Sequence, residues 1–379
     1  MEIGLVGKPS VGKSTFFSAI TMIDVPISDR PFTTIEPNVG VGYVRVEDLG
    51  VELGVQSNPR SGFILGKYRF VPVKIIDVAG LVPGAHEGRG LGNKFLNDLN
   101  QAEGLLHIID LSGSTDEEGN FVGYGKYDPE KDILFLEREL DFWYKDILER
   151  NRPKIEREIK AGKEPWEALY SVFSSLRVTE EVAREAMEKY DLNSEELPQF
   201  LRKKSKKIVI VGNKKDAPHA MENYDRLKDR WDIIPVSAEA ELALRKAAKA
   251  GLIKYVYGES DFEIIGELNE KQREALERIR KIMPTNVQQA LEHLVFDVLG
   301  YVAVFPAGSK LKDKQGRVLP DCFLMKKGST VMDFAKTIHS DIAKGLLYGI
   351  DLRTKRRLAK DYVLKHRDAI ELVSAGSRG

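Results

Sequence analysis

The sequence predicts an α/β architecture. It reads as a doubly wound α/β domain, interrupted by a helical insertion and followed by a small β-grasp (ubiquitin-like) module. Three observations carry this. Residues 7–14 read Gly-Lys-Pro-Ser-Val-Gly-Lys-Ser between an apolar run and an amphipathic stretch. Two apolar strands end in Asp77 and Asn213, each opening a short polar motif. About 135 residues separate those strand ends, where two strand–helix repeats need roughly 60. The expected units are 1–120 with 206–299, an insertion over 121–205, and a C-terminal module over 300–379.

The first loop has the form G-x-x-x-x-G-K-[ST], with a strand over 2–6 before it and a helix over 13–22 after it. A helix start leaves backbone N–H groups without partners and carries partial positive charge, so it attracts anions. Gly7 and Gly12 let the loop close round a phosphate. Lys8, Pro9, Ser10, Val11, Gly12, Lys13, Ser14 and Thr15 are therefore candidate binders of a nucleotide's phosphates. Lys13 would reach the β- and γ-phosphate oxygens, and the Ser14 hydroxyl would ligate Mg2+.

The stretch 28–38 is polar, contains Pro31 and Pro37, and reads as a loop carrying the adjacent hydroxyls Thr33 and Thr34. Val39 to Val46 reads as an edge strand. Phe70 to Asp77 is a strand that runs into Asp77-Val78-Ala79-Gly80, placing a carboxylate for Mg2+ at Asp77 and an N–H for the γ-phosphate at Gly80. Residues 81–92 hold four glycines, which suits a segment that orders on the γ-phosphate and relaxes after its loss. A helix over 93–101 and a buried strand over 104–110 follow, with His107 a packed core histidine.

From Gly119 the pattern turns helical, with a long helix over 128–152 and further helix within 165–190. The basic run 202–207 is either a solvated face or a contact for RNA. Strand 207–212 then enters Asn213-Lys214-Lys215-Asp216. The Asp216 carboxylate suits the N1–H and N2 amino group of guanine, donors that adenine lacks in those positions. Lys214 would pack its stem over the base, and Asn213 would tie this turn to the phosphate loop. A further strand enters Ser237-Ala238-Glu239, where the Ala238 N–H would meet guanine O6. Helices fill most of 240–300. The tail carries short strands at 301–306, 323–325, 351–362 and 369–373, with a helix over 331–340 capped by Ser329 or Thr330.

With 379 residues the chain is long enough for two or three domains. Its 58 basic and 58 acidic side chains balance, so net charge selects no partner. The one cysteine, Cys322, rules out an internal disulfide and a cysteine-cluster metal site, and its apolar neighbours point to core packing. No apolar run approaches 18 residues and no basic-then-apolar leader opens the chain, so a cytoplasmic protein without a membrane contact is expected.

Together these elements resemble a Ras-like P-loop GTPase. The phosphate loop, the stretch Pro31 to Asn38 and the stretch Asp77 to Leu96 resemble the Obg superfamily within its YchF/Ola-type branch, and the tail resembles a TGS domain. The resemblance covers nearly the whole chain. It implies GTP, GDP and Mg2+ as ligands, Thr34 as the switch hydroxyl on Mg2+, a helical-hairpin insertion, and association with ribosomes or RNA by a monomer. Most YchF-type proteins have lost N-K-x-D and prefer ATP. This chain keeps Asn213 to Asp216, like the archaeal-type subgroup, so GTP is expected. Ser10 stands where potassium-activated relatives carry Asn. Leu81 stands where Ras-like proteins orient water with Gln, which implies slow intrinsic hydrolysis, with the missing group supplied by a partner, a cation or a residue such as His86. Lys13, Thr34, Gly80 and His86 are the catalytic candidates. The expected function is a GTP-hydrolysing switch in translation or ribosome assembly. The alternatives are a nucleotide-gated RNA-binding scaffold with incidental turnover, and an ATPase.

Overall fold

The computed structural model describes residues 1–22, 38–78, 98–308, 311–313 and 315–375. Thr34, Gly80, Leu81 and His86 lie outside the described residues.

Seven strands form the main sheet: β1 (Glu2–Val6), β2 (Val39–Glu47), β3 (Phe63–Leu65), β4 (Tyr68–Asp77), β5 (Gly104–Asp110), β6 (Lys207–Asn213) and β7 (Ile233–Pro235). Their order is β2-β4-β1-β5-β6-β7, with β3 paired to β4. β1 runs parallel to both neighbours, and β2 closes one edge antiparallel to β4. Every residue of β5 is buried, as expected of a strand covered on both faces. Pro72 fits within β4 because β1 does not reach it: their first pair is Glu2 with Lys74. The chain leaves β1 toward β4 on one side and reaches β5 on the other. That switch point, at the carboxyl ends of the strands, is where open α/β sheets bind ligands. The register sets Leu5 beside Asp77 and Asp110 beside Asn213.

Between β5 and β6 stand the helices Glu130–Lys160, Pro165–Phe173, Glu180–Lys189 and Glu196–Ser205. The first extends beyond the expected Arg152 and runs through Pro153, because its apolar face continues to the buried Ile155. The helix expected within 165–190 comes in separate segments, divided at Arg177 with φ 66°, and Thr179 caps the second α-helix. Leu136, Leu140, Tyr144, Leu169, Phe173 and Leu201 share one core. Neither reading of the basic run 202–207 holds for its whole length. Arg202 is buried, with Nε 2.8 Å from Asp141 and Nη1 3.0 Å from Glu137. Lys206 is buried too and donates to the Leu99 and Ala102 carbonyls at 2.8 and 3.2 Å. Burial lowers its pKa to about 8. Lys203, Lys204 and Lys207 are the exposed members.

A two-stranded pair, β8 (Ile253–Lys254) and β9 (Glu263–Ile264), interrupts the expected helices of 240–300. The C-terminal sheet has β10 (Tyr301–Pro306), β11 (Phe323–Lys326), β12 (Leu346–Asp351), β13 (Arg357–Leu358) and β14 (Asp368–Ser374), in the order β11-β10-β14-β12-β13 with β10 and β14 parallel. Helix Val331–Ile338 opens on a capping box: Thr330 Oγ1 accepts from the Asp333 N–H, and Asp333 accepts from the Thr330 N–H. Its apolar side covers Val304, Met325, Leu346 and Ile370. On the other side Ala303, Phe305 and Ala369 join Val44, Val46, Leu49 and Val71 in the core of the first domain. Arg69, buried at this junction, pairs with Asp48 at 3.0 Å and donates to the Leu319 carbonyl. Half-buried Cys322 packs there, and burial pushes its thiol up to about 12.

Candidate nucleotide site

The helix Lys13–Thr21 begins immediately after Gly12, with no side chain capping its N-terminus and no acidic residue in its first turn. Its first N–H groups therefore face the loop, an arrangement that suits an anion. Gly12 has φ 90°, and a Cβ there would lie 2.2 Å from Asn213 Nδ2. Only glycine fits.

Asn213 at the end of β6, with Lys214 and Asp216 after it, stands on the other side of a cleft of about 600 Å³. Its wall includes Ser10, Gly12, Lys13, Ser14 and Thr15 from the phosphate loop, and Asn213, Lys214, Asp216 and Ser237 opposite. The volume is within the usual range for a small-molecule site. Asn213 ties the halves together as expected: Nδ2 donates to the Val11 carbonyl at 2.8 Å. Its Oδ1 accepts from the Ala238 N–H at 3.0 Å. That corrects one expectation. The N–H assigned to a base oxygen is engaged by Asn213, because Ala238 opens helix Ala238–Lys249 and a first-turn N–H needs a partner. Ser237 is buried, with its N–H donating to the Thr285 carbonyl at 3.0 Å. Asp216 stands exposed on the cleft wall.

Lys214 donates to Asp110 Oδ2 at 3.0 Å. Asp110 also accepts from the hydroxyls of Ser112, Ser114 and Thr115 at 2.6, 2.6 and 2.9 Å. Burial alone would raise its pKa, but these hydrogen bonds outweigh it and hold the carboxyl below its ordinary value. Ser114, Phe121 and Tyr124 also line the wall. Sequence reasoning missed all three. The only signal was two aromatic residues among closely spaced glycines, Gly119-Asn-Phe-Val-Gly-Tyr-Gly125.

Lys13 Nζ lies against Asp77 Oδ1, joining the start of the first helix to the end of β4. Asp77 therefore already favours positive charge at its carboxylate. With the Ser14 hydroxyl on the same helix turn, these oxygen donors fit Mg2+, which takes one or two carboxylates plus phosphate oxygens. No cluster of three or more His, Cys, Asp or Glu that could hold a metal exists among the described residues.

Lys8, Pro9 and Val11 are not among the residues lining the cleft, so of the three only the Lys8 and Val11 backbone N–H groups are left as candidate phosphate donors, Pro9 having none. Val11 is buried in the core. The Lys8 side chain turns away into the insertion. Its Nζ donates to the Thr115 carbonyl at 3.0 Å, pairs with Asp132 at 2.9 Å and sits 3.8 Å from the Tyr127 ring centre. The Tyr127 hydroxyl donates to Asp132 at 2.9 Å. Burial raises the Asp132 carboxyl even beside Lys8. His107 is buried as expected, and burial, with the Lys8 charge second, lowers its pKa to about 3.

Comparison with known proteins adds three family matches. Residues 2–138 match a 50S ribosome-binding GTPase model, residues 211–308 an Obg-like GTPase YGR210-like, G4 motif-containing domain, and residues 302–374 a TGS domain. A GTP-binding protein of Methanocaldococcus jannaschii is 45% identical, over 98% of this chain and 99% of its own. The ribosome-binding ATPase YchF of Bacillus subtilis is 27% identical, over 92% of this chain and 87% of its own. The crystal structure of a GTP binding protein from Pyrococcus horikoshii, 36% identical, superposes with a TM-score of 0.79 over 99% of this chain and 100% of that one. No helix among the described residues is long and apolar enough to cross a membrane.

Proposed function

This chain belongs to the Obg-like, YchF-type GTPases, and from that premise we propose that it hydrolyses GTP to GDP as a switch that reports to the ribosome. The observation that carries the reading is the single cleft shared by the phosphate loop and Asp216. Asp216 supplies an acceptor for guanine's N1–H and N2 amino group, and once a base covers it, a carboxylate left facing adenine would lose its water without gaining a donor. This favours GTP over ATP. Residues 1–120 with 206–299 act as the G domain, 121–205 as the helical insertion and 300–379 as the TGS domain.

Lys13 neutralises charge on the β- and γ-phosphates, as P-loop lysines do. Ser14 and Asp77 would hold Mg2+, which supplies charge neutralisation at the transferred phosphoryl group. Thr34, Gly80 and His86, assigned to the metal, the γ-phosphate and the water respectively, lie outside the described residues. With Leu81 in place of a water-orienting Gln, the intrinsic rate is slow and a partner accelerates it.

The ribosomal part of the reading is supported by the name of the Bacillus subtilis relative. Multiple-turnover phosphate release, measured with and without ribosomes, tests it. A rate that ribosomes leave unchanged favours the RNA-binding scaffold with incidental turnover. That same relative is named an ATPase, so ATP is the second reading. Competition of ATP against GTP at equal concentration decides it: displacement of GTP would overturn the guanine assignment.

A further inference from the structure

The segment after β5 folds into a hairpin over 112–127. Thr115 bridges to Phe121, and the Val122, Gly125 and Tyr127 N–H groups donate to the Ser114, Ser112 and Gly113 carbonyls at 2.9, 2.9 and 3.0 Å. The hairpin is clamped at its root by the Asp110 carboxylate, which also takes the Lys214 ammonium. A Cβ on Gly119 would press to 2.8 Å from the Pro9 carbonyl oxygen, and one on Gly125 to 3.0 Å from the His219 ring. The hairpin is thus wedged between the phosphate loop and the turn that follows Asp216.

Phe121 and Tyr124 lie between those two tight approaches. They pack edge to face at 5.7 Å. Both line the cleft with Lys13, Ser14 and Asp216. They are 68% and 46% exposed, and Val122 between them is 43% exposed. Holding two aromatic rings in water at the mouth of a nucleotide-sized cleft is unfavourable unless something covers them. The clamped root means that the rings are presented rather than left to fold inward.

We propose that Phe121 and Tyr124 contact the nucleoside: they cover the base–ribose end of the bound nucleotide and set how long it stays. This rests on the nucleotide reading above and adds a division of labour to it. Asp216 reads the edge of the base and so selects guanine. The rings contact its face, which all purines share, so they raise affinity without selecting among bases. Because Asp110 holds both the hairpin root and Lys214, the cover and the base-reading turn share one anchor.

The test is release of radiolabelled GDP, with calorimetric affinities, for the full chain and its Phe121→Ala/Tyr124→Ala variant. Stacking on aromatic rings makes the expected loss of affinity roughly tenfold or more, carried by faster release. Tyr124→Phe with Phe121→Tyr should restore it. In an Asp216→Asn background the same double substitution should weaken XDP by the same factor. GDP release within twofold of the parent from a folded double variant overturns the proposal, as does a loss seen with GDP and absent with XDP. Should the double variant not fold, Tyr124→Trp serves instead: its fluorescence must change on adding GDP, and an unchanged signal overturns the proposal. The two readings fail separately. A parent chain that binds no GDP refutes the nucleotide site itself. Normal GDP binding, with Asp216→Asn switching to XDP and the double variant releasing at the parent rate, refutes the aromatic assignment alone.

Discussion

Lys13 and Asp77 hold each other across the mouth of the phosphate loop, with both side chains largely sequestered from solvent. One sits in the first helical turn and the other at the end of β4. The pair neutralises two charges that a nucleotide and its metal would otherwise separate. Phosphate oxygens compete for the ammonium, and a divalent cation competes for the carboxylate. Each therefore makes room for the other, and nucleotide and Mg2+ are expected to bind with positive coupling.

Replacing Asp77 by Asn removes the carboxylate and frees Lys13. GTP hydrolysis should fall roughly 100-fold or more, the several kcal/mol that a bound metal ion contributes. The Mg2+ dependence of GTP affinity should shrink at the same time. A Mg2+ titration of GTP binding checks this, and a variant with the parent's dependence would remove Asp77 from the metal's ligands.

Asp216→Asn exchanges an acceptor for a side chain that can also donate. GTP affinity should drop by roughly 10- to 100-fold, the loss of a hydrogen bond to a charged group. XTP, whose C2 carbonyl accepts where guanine donates, should gain. Competition between the two nucleotides on parent and variant measures the crossover.

The Lys8–Asp132 pair is buried, with side-chain exposures of 5% and 7%. Breaking it from one side leaves a charge with poor compensation. Lys8→Met is expected to destabilise the fold by about 3–5 kcal/mol, and adding Asp132→Leu should recover most of that. Denaturant unfolding of the two single variants and the double variant supplies the coupling energy.

His107 is held neutral by burial, with a pKa near 3 against an ordinary 6.5. The unfolded chain binds the proton more readily, so the folded state keeps its full stability above about pH 6.5 and loses it as pH falls toward 3. The slope is about 1.4 kcal/mol per pH unit inside that window. His107→Leu should flatten stability against pH there. Its unfolding midpoint, followed from pH 7 to pH 4, should move less than the parent's.

The parts of the site legible in the sequence are those whose chemistry is local. Gly12 is required by its own φ, Ser14 by its place in a helix start, and Asn213 and Asp216 by a strand end. Even the link from Asn213 to the phosphate loop could be anticipated, because the motif recurs as a unit. What escaped was set by distant contacts. Lys8 belongs to the same loop as Lys13, yet its side chain is decided by Asp132, 124 positions away (132 − 8). Arg202 and Lys206 look like one solvated run until Glu137, Asp141 and two carbonyls in 98–102 are brought to them. The hairpin over 112–127 has too few apolar residues to show a strand period, and its place depends on Asp110 and on two glycine approaches. The helix expected over 128–152 continues through Pro153 under the pull of a core on Ile155, which is invisible to a local rule.

The helix Glu130–Lys160 has 31 residues and carries Asp132 in its first turn. It is a rod about 46 Å long whose base is bolted to the phosphate loop through Lys8. With its base tied to the phosphate loop, a pivot of about 5° at the root would sweep the far tip through about 4 Å. A displacement at the phosphate loop too small to alter the sheet would thus reach the far tip magnified to atomic-contact scale.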